Sequence, residues 1–464
     1  MIDLKNIEGI YFVGIGGIGM SALALYFAKS GYIIAGYDRA STGITGSLKG
    51  AGCNISNDDD IETIPPFFRD ISNRTKVKIV YTPAIPAENR ILSYFRVNEY
   101  RIFKRSEVLG EISSMTDTIA IAGTHGKTTV STMTAHLLKQ SHIDCSAFLG
   151  GISKNYGSNL ILGNGQYTVI EADEFDRSFH RLSPVIAVIT AVDADHLEVY
   201  GDYKTMIAAY NEFCRNIRTG GILIYNYNIR KHIICPGGIT CFTYGDDKNA
   251  DFRYSSIEHT GDFYRFDLTT PDASIKDLHF AFPGIINIEN LTAAMAVALK
   301  CGITENEIRK AIILFRGVKR RFDIRINVPG LAYIDDYAHH PEEIRAFIVS
   351  VKEYFRGRKI TAIFQPHLFT RTRDHAEGFA QILDQLDEVI LLPVYPAREK
   401  PIQGVSSEMI FNRMKLENKR LLNMNDIPGK LDPDRIDVLV TIGAGDIDTL
   451  VDPIEKKLAK EVRK

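Results

Sequence analysis

Short apolar runs recur along this chain, separated by stretches with helical spacing. Residues 10–13 form the first run, 20–30 fit a helix, and Gly31 supplies a stop. Residues 32–37 and 76–81 read as further strands. A second series begins near Thr116: a strand over 118–122, a glycine turn, and a helix over 127–139. Apolar strands follow at 167–170, 185–190 and 222–225. Between 240 and 282 the pattern changes to short alternating stretches beside turn residues such as Thr260-Gly261-Asp262, which predicts a small antiparallel annex. A third series starts near Gly317, with strands at 331–334, 359–364, 388–392 and 437–441. Strands that alternate with helices imply parallel sheets with helices on both faces. The expected organisation is therefore α/β in three domains, 1–113, 114–316 and 317–464.

Composition agrees with that reading. The chain has 464 residues, 45% hydrophobic and 24% charged, which is ordinary for a globular protein with several cores. Its net charge of −2 lacks the basic excess of a nucleic-acid binder. Residues 9–28 carry no charge and are long enough to span a bilayer, but Gly9, Gly14, Gly16, Gly17 and Gly19 make a poor helix there. Asp3 and Glu8 precede the stretch, so no signal peptide or membrane anchor is expected. The six cysteines, 53, 145, 214, 235, 241 and 301, contain no C-x-x-C pair. They read as reduced core residues of a cytoplasmic protein.

Three patterns in the first two domains point to phosphate chemistry. Gly14-Ile15-Gly16-Gly17-Ile18-Gly19 follows a strand and opens a helix, where backbone N–H groups can face a diphosphate. Asp38 ends the next strand, at the distance expected for a carboxylate on a ribose hydroxyl. The motif does not say which nucleotide is bound. Gly123-Thr124-His125-Gly126-Lys127-Thr128-Thr129 lies between a strand and a helix. It lacks the first glycine of a full Walker motif, since position 121 is Ile, but its G-K-T end is intact. Lys127 can reach the β- and γ-phosphates of ATP, and the Thr128 hydroxyl suits Mg²⁺. Glu171 to Glu174, and Asp193 to His196, place acids and a histidine at two further strand ends, which favours a metal beside the phosphates.

The third domain adds another crevice. Asp335-Asp336-Tyr337-Ala338-His339-His340 ends one strand, and Gln365-Pro366-His367 with Arg371 and Arg373 ends the next. Histidines and arginines gathered at strand C-termini suit an anionic substrate. Adjacent histidines on a turn diverge, so phosphate or carboxylate binding is favoured over zinc.

Taken in order, these motifs resemble those of the Mur ligases of bacterial peptidoglycan synthesis. The likeness also uses Ser21-Ala22, Tyr200, Pro283-Gly284, Asn287, Asn290, Arg320-Arg321-Phe322, the segment 395–399 and the segment 443–447, and so runs nearly the whole length. It implies a Rossmann-like N-terminal domain for a UDP substrate, a central P-loop-type ATPase domain and a Rossmann-like C-terminal ligase domain. It implies ATP and Mg²⁺, and a cytoplasmic, ADP-forming ligation of L-alanine to UDP-N-acetylmuramate through an acyl phosphate. It leaves a homodimer open.

The resemblance further implies roles. Lys127, Glu171, His196 and His339 would be catalytic, with Thr128, Glu171 and His196 on metal. Residues 123–129 with Asn287, Asn290, Arg321 and Asp336 would hold ATP. Gly14, Gly16, Gly17, Ile18, Gly19, Asp38, His367, Arg371 and Arg373 would bind the other substrates. Two positions depart from the family pattern. Ile286 stands where histidine is common, and Leu368 where arginine is common. Two other functions fit part of the pattern. A ligase attaching a preformed peptide to the same acceptor would share most motifs. A nicotinamide-dependent oxidoreductase would use only 14–19 and Asp38, leaving Lys127, Glu171 and His196 unexplained.

Overall fold

Five segments near the N-terminus, β1 (Gly9–Val13), β2 (Ile33–Tyr37), β3 (Asn54–Ser56), β4 (Val77–Tyr81) and β5 (Arg101–Lys104), pair in the order β3-β2-β1-β4-β5, all parallel. β1 is buried along its whole length, which its uninterrupted apolar run requires of a central parallel strand. The order reverses beside β1, so the turn after that strand opens into a crevice. The computed structural model describes residues 6–175, 177–194, 197–260, 263–397 and 399–462.

The second sheet has ten strands. They are β6 (Asp117–Ala122), β7 (Cys145–Ser153), β8 (Ser158–Ile161), β9 (Tyr167–Glu171), β10 (Ile186–Ile189), β11 (Ile222–Asn226), β12 (Thr240–Gly245), β13 (Phe252–Thr260), β14 (Phe263–Thr269) and β15 (Ser274–Phe280). Their order is β15-β14-β13-β12-β11-β10-β6-β9-β7-β8. The expected annex is present as β13 to β15, which pair antiparallel, but β12 pairs parallel to both neighbours and belongs to the main sheet. The chain pattern did not reveal β7 or β8. Gly150 and Gly151 interrupt the apolar run of β7, and β8 is a four-residue edge strand.

The third sheet comprises β16 (Asp323–Val328), β17 (Leu331–Asp336), β18 (Ile360–Phe364), β19 (Glu388–Leu391), β20 (Lys419–Leu421) and β21 (Val438–Ile442). Its order is β16-β17-β21-β18-β19-β20, with only β16 antiparallel to its neighbour. Leu331, Tyr333, Ile363 and Leu439 of this sheet form a core with Ile454 and Leu458 of the helix Val451–Val462.

The chain divides into two compact units, Met1–Ala281 with Ile288–Arg316, and Phe282–Asn287 with Gly317–Lys464. The first unit holds the first two sheets around shared packing. Leu23 and Phe27 of the helix Ile18–Lys29 lie in one core with Phe148 of β7 and Leu160 of β8. Burial of each such side chain contributes about 1.5–3 kcal/mol. Asn159 of β8 donates to the Ile18 carbonyl at 2.5 Å and to Ser21 Oγ at 2.9 Å. The helix that follows the first glycine turn is thereby braced by the second sheet.

Two sequence expectations are resolved here. Residues 9–28 supply β1 and most of the following helix, and among the described residues no helix is long and apolar enough to cross a membrane. Cys53, Cys145, Cys214 and Cys301 are buried free thiols, as expected. Cys235 and Cys241, read as reduced, are instead joined in a disulfide with Cα atoms 6.2 Å apart. Cys235 lies on the turn before β12 and Cys241 is the second residue of that strand, so the turn brings them together.

Candidate active site

The glycine turn of 14–19 forms between β1 and the helix Ile18–Lys29. Gly14 has φ +89°, and a Cβ there would meet Thr82 Cγ2 at 2.7 Å. Gly17 donates to the Gly14 carbonyl at 3.3 Å, closing the turn, and Ile18 is the first helical residue. Asp38 directly follows β2, as expected, but its carboxylate faces the turn itself. It accepts from Gly16 N–H at 2.8 Å and from Ala40 N–H at 3.0 Å.

The second glycine turn follows β6. Gly123 and Gly126 have φ of +134° and +80°, a backbone that L side chains rarely adopt. A Cβ on Gly123 would also lie 2.8 Å from Ala191 N. Thr124 Oγ1 accepts from Asp193 N–H at 3.0 Å, and His125 Nε2 lies 3.6 Å from the Asp193 carboxylate. These contacts hold the loop against the end of β10. Lys127 begins the helix Lys127–Lys139 and turns back over the loop. Its ammonium donates to the Gly123 carbonyl at 2.6 Å and to Glu174 at 2.8 Å. Burial opposes that charge, but Glu174, with Asp173 and Glu171 behind it, holds Lys127 above its ordinary value. Thr129 is buried in the first turn of the same helix.

Glu171 ends β9 beside this loop. It accepts from Thr128 Oγ1 at 2.9 Å and from Gly150 N–H at 2.8 Å. A Cβ on Gly150 would collide with the carboxylate, so β7 approaches closely because it carries glycine there. Asn290 lies on the helix Ile285–Lys300, and its Oδ1 would be 2.8 Å from a Cβ on Gly126. The structure therefore brings Lys127, Thr128, Glu171 and Asn290 to one loop. His196 lies outside the described residues.

The second unit gathers the other candidates at the ends of β17 and β18. Asp336 accepts from Phe322 N–H at 2.6 Å and from Ala338 N–H at 2.8 Å. Arg321 lies over the Tyr337 ring at 5.0 Å. His339 Nδ1 is 3.0 Å from the Tyr337 carbonyl and 3.1 Å from Glu343 Oε2. The His339 ring meets His367 at 5.7 Å, and His367 stacks on Tyr395 at 5.6 Å. Arg371 Nη1 is buried without a hydrogen-bond partner among the described residues. Arg373 is half-exposed and donates to Asp374 at 2.7 Å. Of the two arginines, Arg371 is thus the better placed to take an anion. Asn287 is buried, and its side-chain amide donates to the Pro283 carbonyl. Ile286, at the first departure from the family pattern, is 43% exposed. Leu368, at the second, has φ +70° and donates its N–H to the Tyr395 carbonyl at 2.9 Å.

Burial pushes the Asp336 carboxyl up to about 6, against the pull of Arg321 and the two N–H groups. The folded state then holds a proton that the unfolded chain releases near pH 4. Stability from this group is present below about pH 4 and is lost as pH rises to about 6, by about 1–3 kcal/mol. The difference in melting temperature between wild type and Asp336→Asn is expected to change across that window and to stay flat above pH 7. A constant difference from pH 4 to 7 would contradict the assignment.

Three matching family models span most of the chain. The model "Mur ligase family, catalytic domain" matches residues 9–116, "Mur ligase middle domain" 121–298, and "Mur ligase, glutamate ligase domain" 320–450. The UDP-N-acetylmuramate–L-alanine ligase of Parabacteroides distasonis is 44% identical over 464 residues, covering 100% of both chains. The chain belongs to the Mur ligase family. Among solved structures, the UDP-N-acetylmuramate–alanine ligase of Thermotoga maritima superposes with a TM-score of 0.82 at 27% identity, covering 98% of this chain and 99% of that one. A murein peptide ligase from Psychrobacter arcticus, at 22% identity, shares the fold with a TM-score of 0.70, over 97% and 98% of the two chains. The three-domain α/β architecture expected from the sequence is that of this Mur ligase family.

Sequence reasoning passed over three features of this site. Glu171 to Glu174 were read together as acids near a metal, but nothing in their spacing pairs Glu174 with Lys127 or Asp173 with Arg105. Gly150 carries no sequence signal for its N–H on Glu171. All three are long-range contacts: the Lys127 and Gly150 pairs need β6, β7 and β9 adjacent, and the Arg105 pair needs the helix Arg105–Met115 beside the segment after β9.

Proposed function

We propose that this Mur ligase joins L-alanine to UDP-N-acetylmuramate in peptidoglycan precursor synthesis, converting ATP to ADP and phosphate. The observation that carries the reading is the meeting of Lys127 and Thr128, on the glycine turn after β6, with Glu171 at the end of β9, in a unit that holds a second glycine turn after β1. An oxidoreductase would require only the second of these. The proposed division of labour follows the three sheets: residues 1–113 for the UDP substrate, 114–316 for ATP and 317–464 for ligation.

A carboxylate is a poor electrophile. An oxygen of the lactyl carboxylate attacks the γ-phosphorus, the bond to the β-phosphate oxygen breaks, and ADP leaves an acyl phosphate. The amine of L-alanine, freed of its extra proton, then attacks the acyl carbon and phosphate departs. Such steps need little covalent help from protein, so positioning and charge neutralisation dominate. Lys127 neutralises the β- and γ-phosphates once it exchanges Glu174 for them. The backbone N–H groups of 123–129 cradle the same phosphates, and Asn290 and Asn287 serve the nucleotide. The hydroxyl of Thr128 and carboxylate of Glu171 are hard oxygen donors that fit Mg²⁺, which is commonly held by one or two protein groups plus phosphates. When bound, Mg²⁺ supplies charge neutralisation on the phosphoryl oxygens. His196 is proposed as a further metal ligand on the resemblance alone. In the second unit Arg321 and Asp336 serve the nucleotide, and His339, His367, Arg371 and Arg373 the acyl or amino-acid substrate.

The test is phosphate release from Mg-ATP with UDP-N-acetylmuramate, with and without L-alanine, beside other amino acids and a tripeptide. Release requiring both substrates, and greatest with L-alanine, is the expected result. Release with the tripeptide alone would replace this reading with a peptide ligase.

A further inference from the structure

Arg105 opens the helix Arg105–Met115, and no motif includes it. Its guanidinium packs against the glycine turn: a Cβ on Gly19 would collide with Arg105 Nη1. Gly19 has no positive φ, so the backbone there does not demand glycine, and the Arg105 guanidinium occupies the space that a Cβ would take. On its other side, Arg105 Nη2 donates to Asp173 Oδ2 at 3.2 Å. Asp173 lies two residues beyond Glu171, on the segment that also supplies Glu174 to Lys127. Burial pushes the Asp173 carboxyl up, but Arg105 and Lys127 together hold it below its ordinary value. Arg105, Glu171, Asp173, Phe179 and Leu182 line one small cavity.

A diphosphate at the first glycine turn needs more than that turn offers. Residues 14–19 contain no cation. The Gly16 N–H, one of the donors an anion would use there, is already taken by Asp38. Arg105 supplies the missing positive charge at the place where the turn becomes a helix. Its planar fork has five N–H donors, so Asp173 can hold one edge while others remain for phosphate oxygens. We infer that Arg105 binds the diphosphate of the sugar-nucleotide substrate, with Asp173 as the positioning residue that holds its guanidinium over Gly19. This rests on the reading of 14–19 as the sugar-nucleotide site. The arrangement also gives that site a direct link to the segment bearing Glu171, because one guanidinium serves the diphosphate and Asp173.

The experiment is calorimetric titration of the full chain with UDP and, separately, with UDP-N-acetylmuramate. Arg105→Ala is expected to weaken both by about 30-fold, the loss of a charge-assisted pair. Arg105→Lys should recover part of that loss, since it keeps the charge without the fork. Asp173→Asn should weaken both ligands by a smaller factor. Unchanged affinity for both ligands in folded Arg105→Ala would overturn the inference. So would unchanged UDP affinity with weakened UDP-N-acetylmuramate, which would move Arg105 to the lactyl carboxylate. Equal losses of UDP and ATP affinity, with a lowered melting temperature, would reduce Arg105 to a structural role. Failure of the wild type to bind either ligand would overturn the site reading itself, and with it this inference.

Discussion

Lys127→Ala is expected to lower ATP turnover by about 10³-fold or more, the scale of losing a preorganised charge at a phosphoryl transition state. The structure adds a stability effect to this loss. Lys127 is paired with Glu174, whose side chain is only 1% exposed. Removing one partner of a buried pair costs about 3–5 kcal/mol. Burial already pushes the Glu174 carboxyl up against the pull of Lys127, so in the variant Glu174 takes a proton and part of that cost is relieved. The double variant Lys127→Met with Glu174→Gln removes both charges. It should recover the melting temperature without recovering turnover. Steady-state phosphate release beside thermal melts checks both statements. Turnover near wild type in Lys127→Ala would remove the phosphate role, and recovery of turnover in the double variant would show that only the fold had suffered.

Glu171→Gln is expected to lower turnover by about 10²-fold or more and to raise the Mg²⁺ concentration needed for half-maximal rate. The substitution retains the shape of the side chain and one acceptor for Thr128 or Gly150, so it isolates the charge. Glu171→Ala opens space beside Gly150 and Ser131 and should also lower the melting temperature. Titration of Mg²⁺ at saturating ATP measures the effect. An unchanged Mg²⁺ dependence in Glu171→Gln would take Glu171 out of the metal site, whatever happens to the maximal rate.

Where strands are apolar throughout and followed by glycine turns, the chain pattern was enough. β1, β6, β10 and β18 are buried along almost all of their length, and a strand buried on both faces leaves a continuous hydrophobic run. The helix after Gly126 also begins where the G-K-T motif says it must, since positive φ there needs glycine. β7, β8 and β16 escaped because glycines, shortness or polar positions break their patterns. The disulfide of Cys235 and Cys241 escaped because pairing depends on a turn, and spacing alone does not reveal it.

By itself the sequence determined the α/β class, the two glycine turns after β1 and β6, and the acids and histidines at strand ends, since these follow from local periodicity and glycine conformation. Only the tertiary structure decided what those side chains touch: Lys127 on Glu174, Asp38 on the Gly16 N–H, and Arg105 between Gly19 and Asp173. The reason is physical. Ion pairs and hydrogen bonds act over a few ångströms, and strand adjacency in a parallel sheet brings residues that are distant along the chain within that reach.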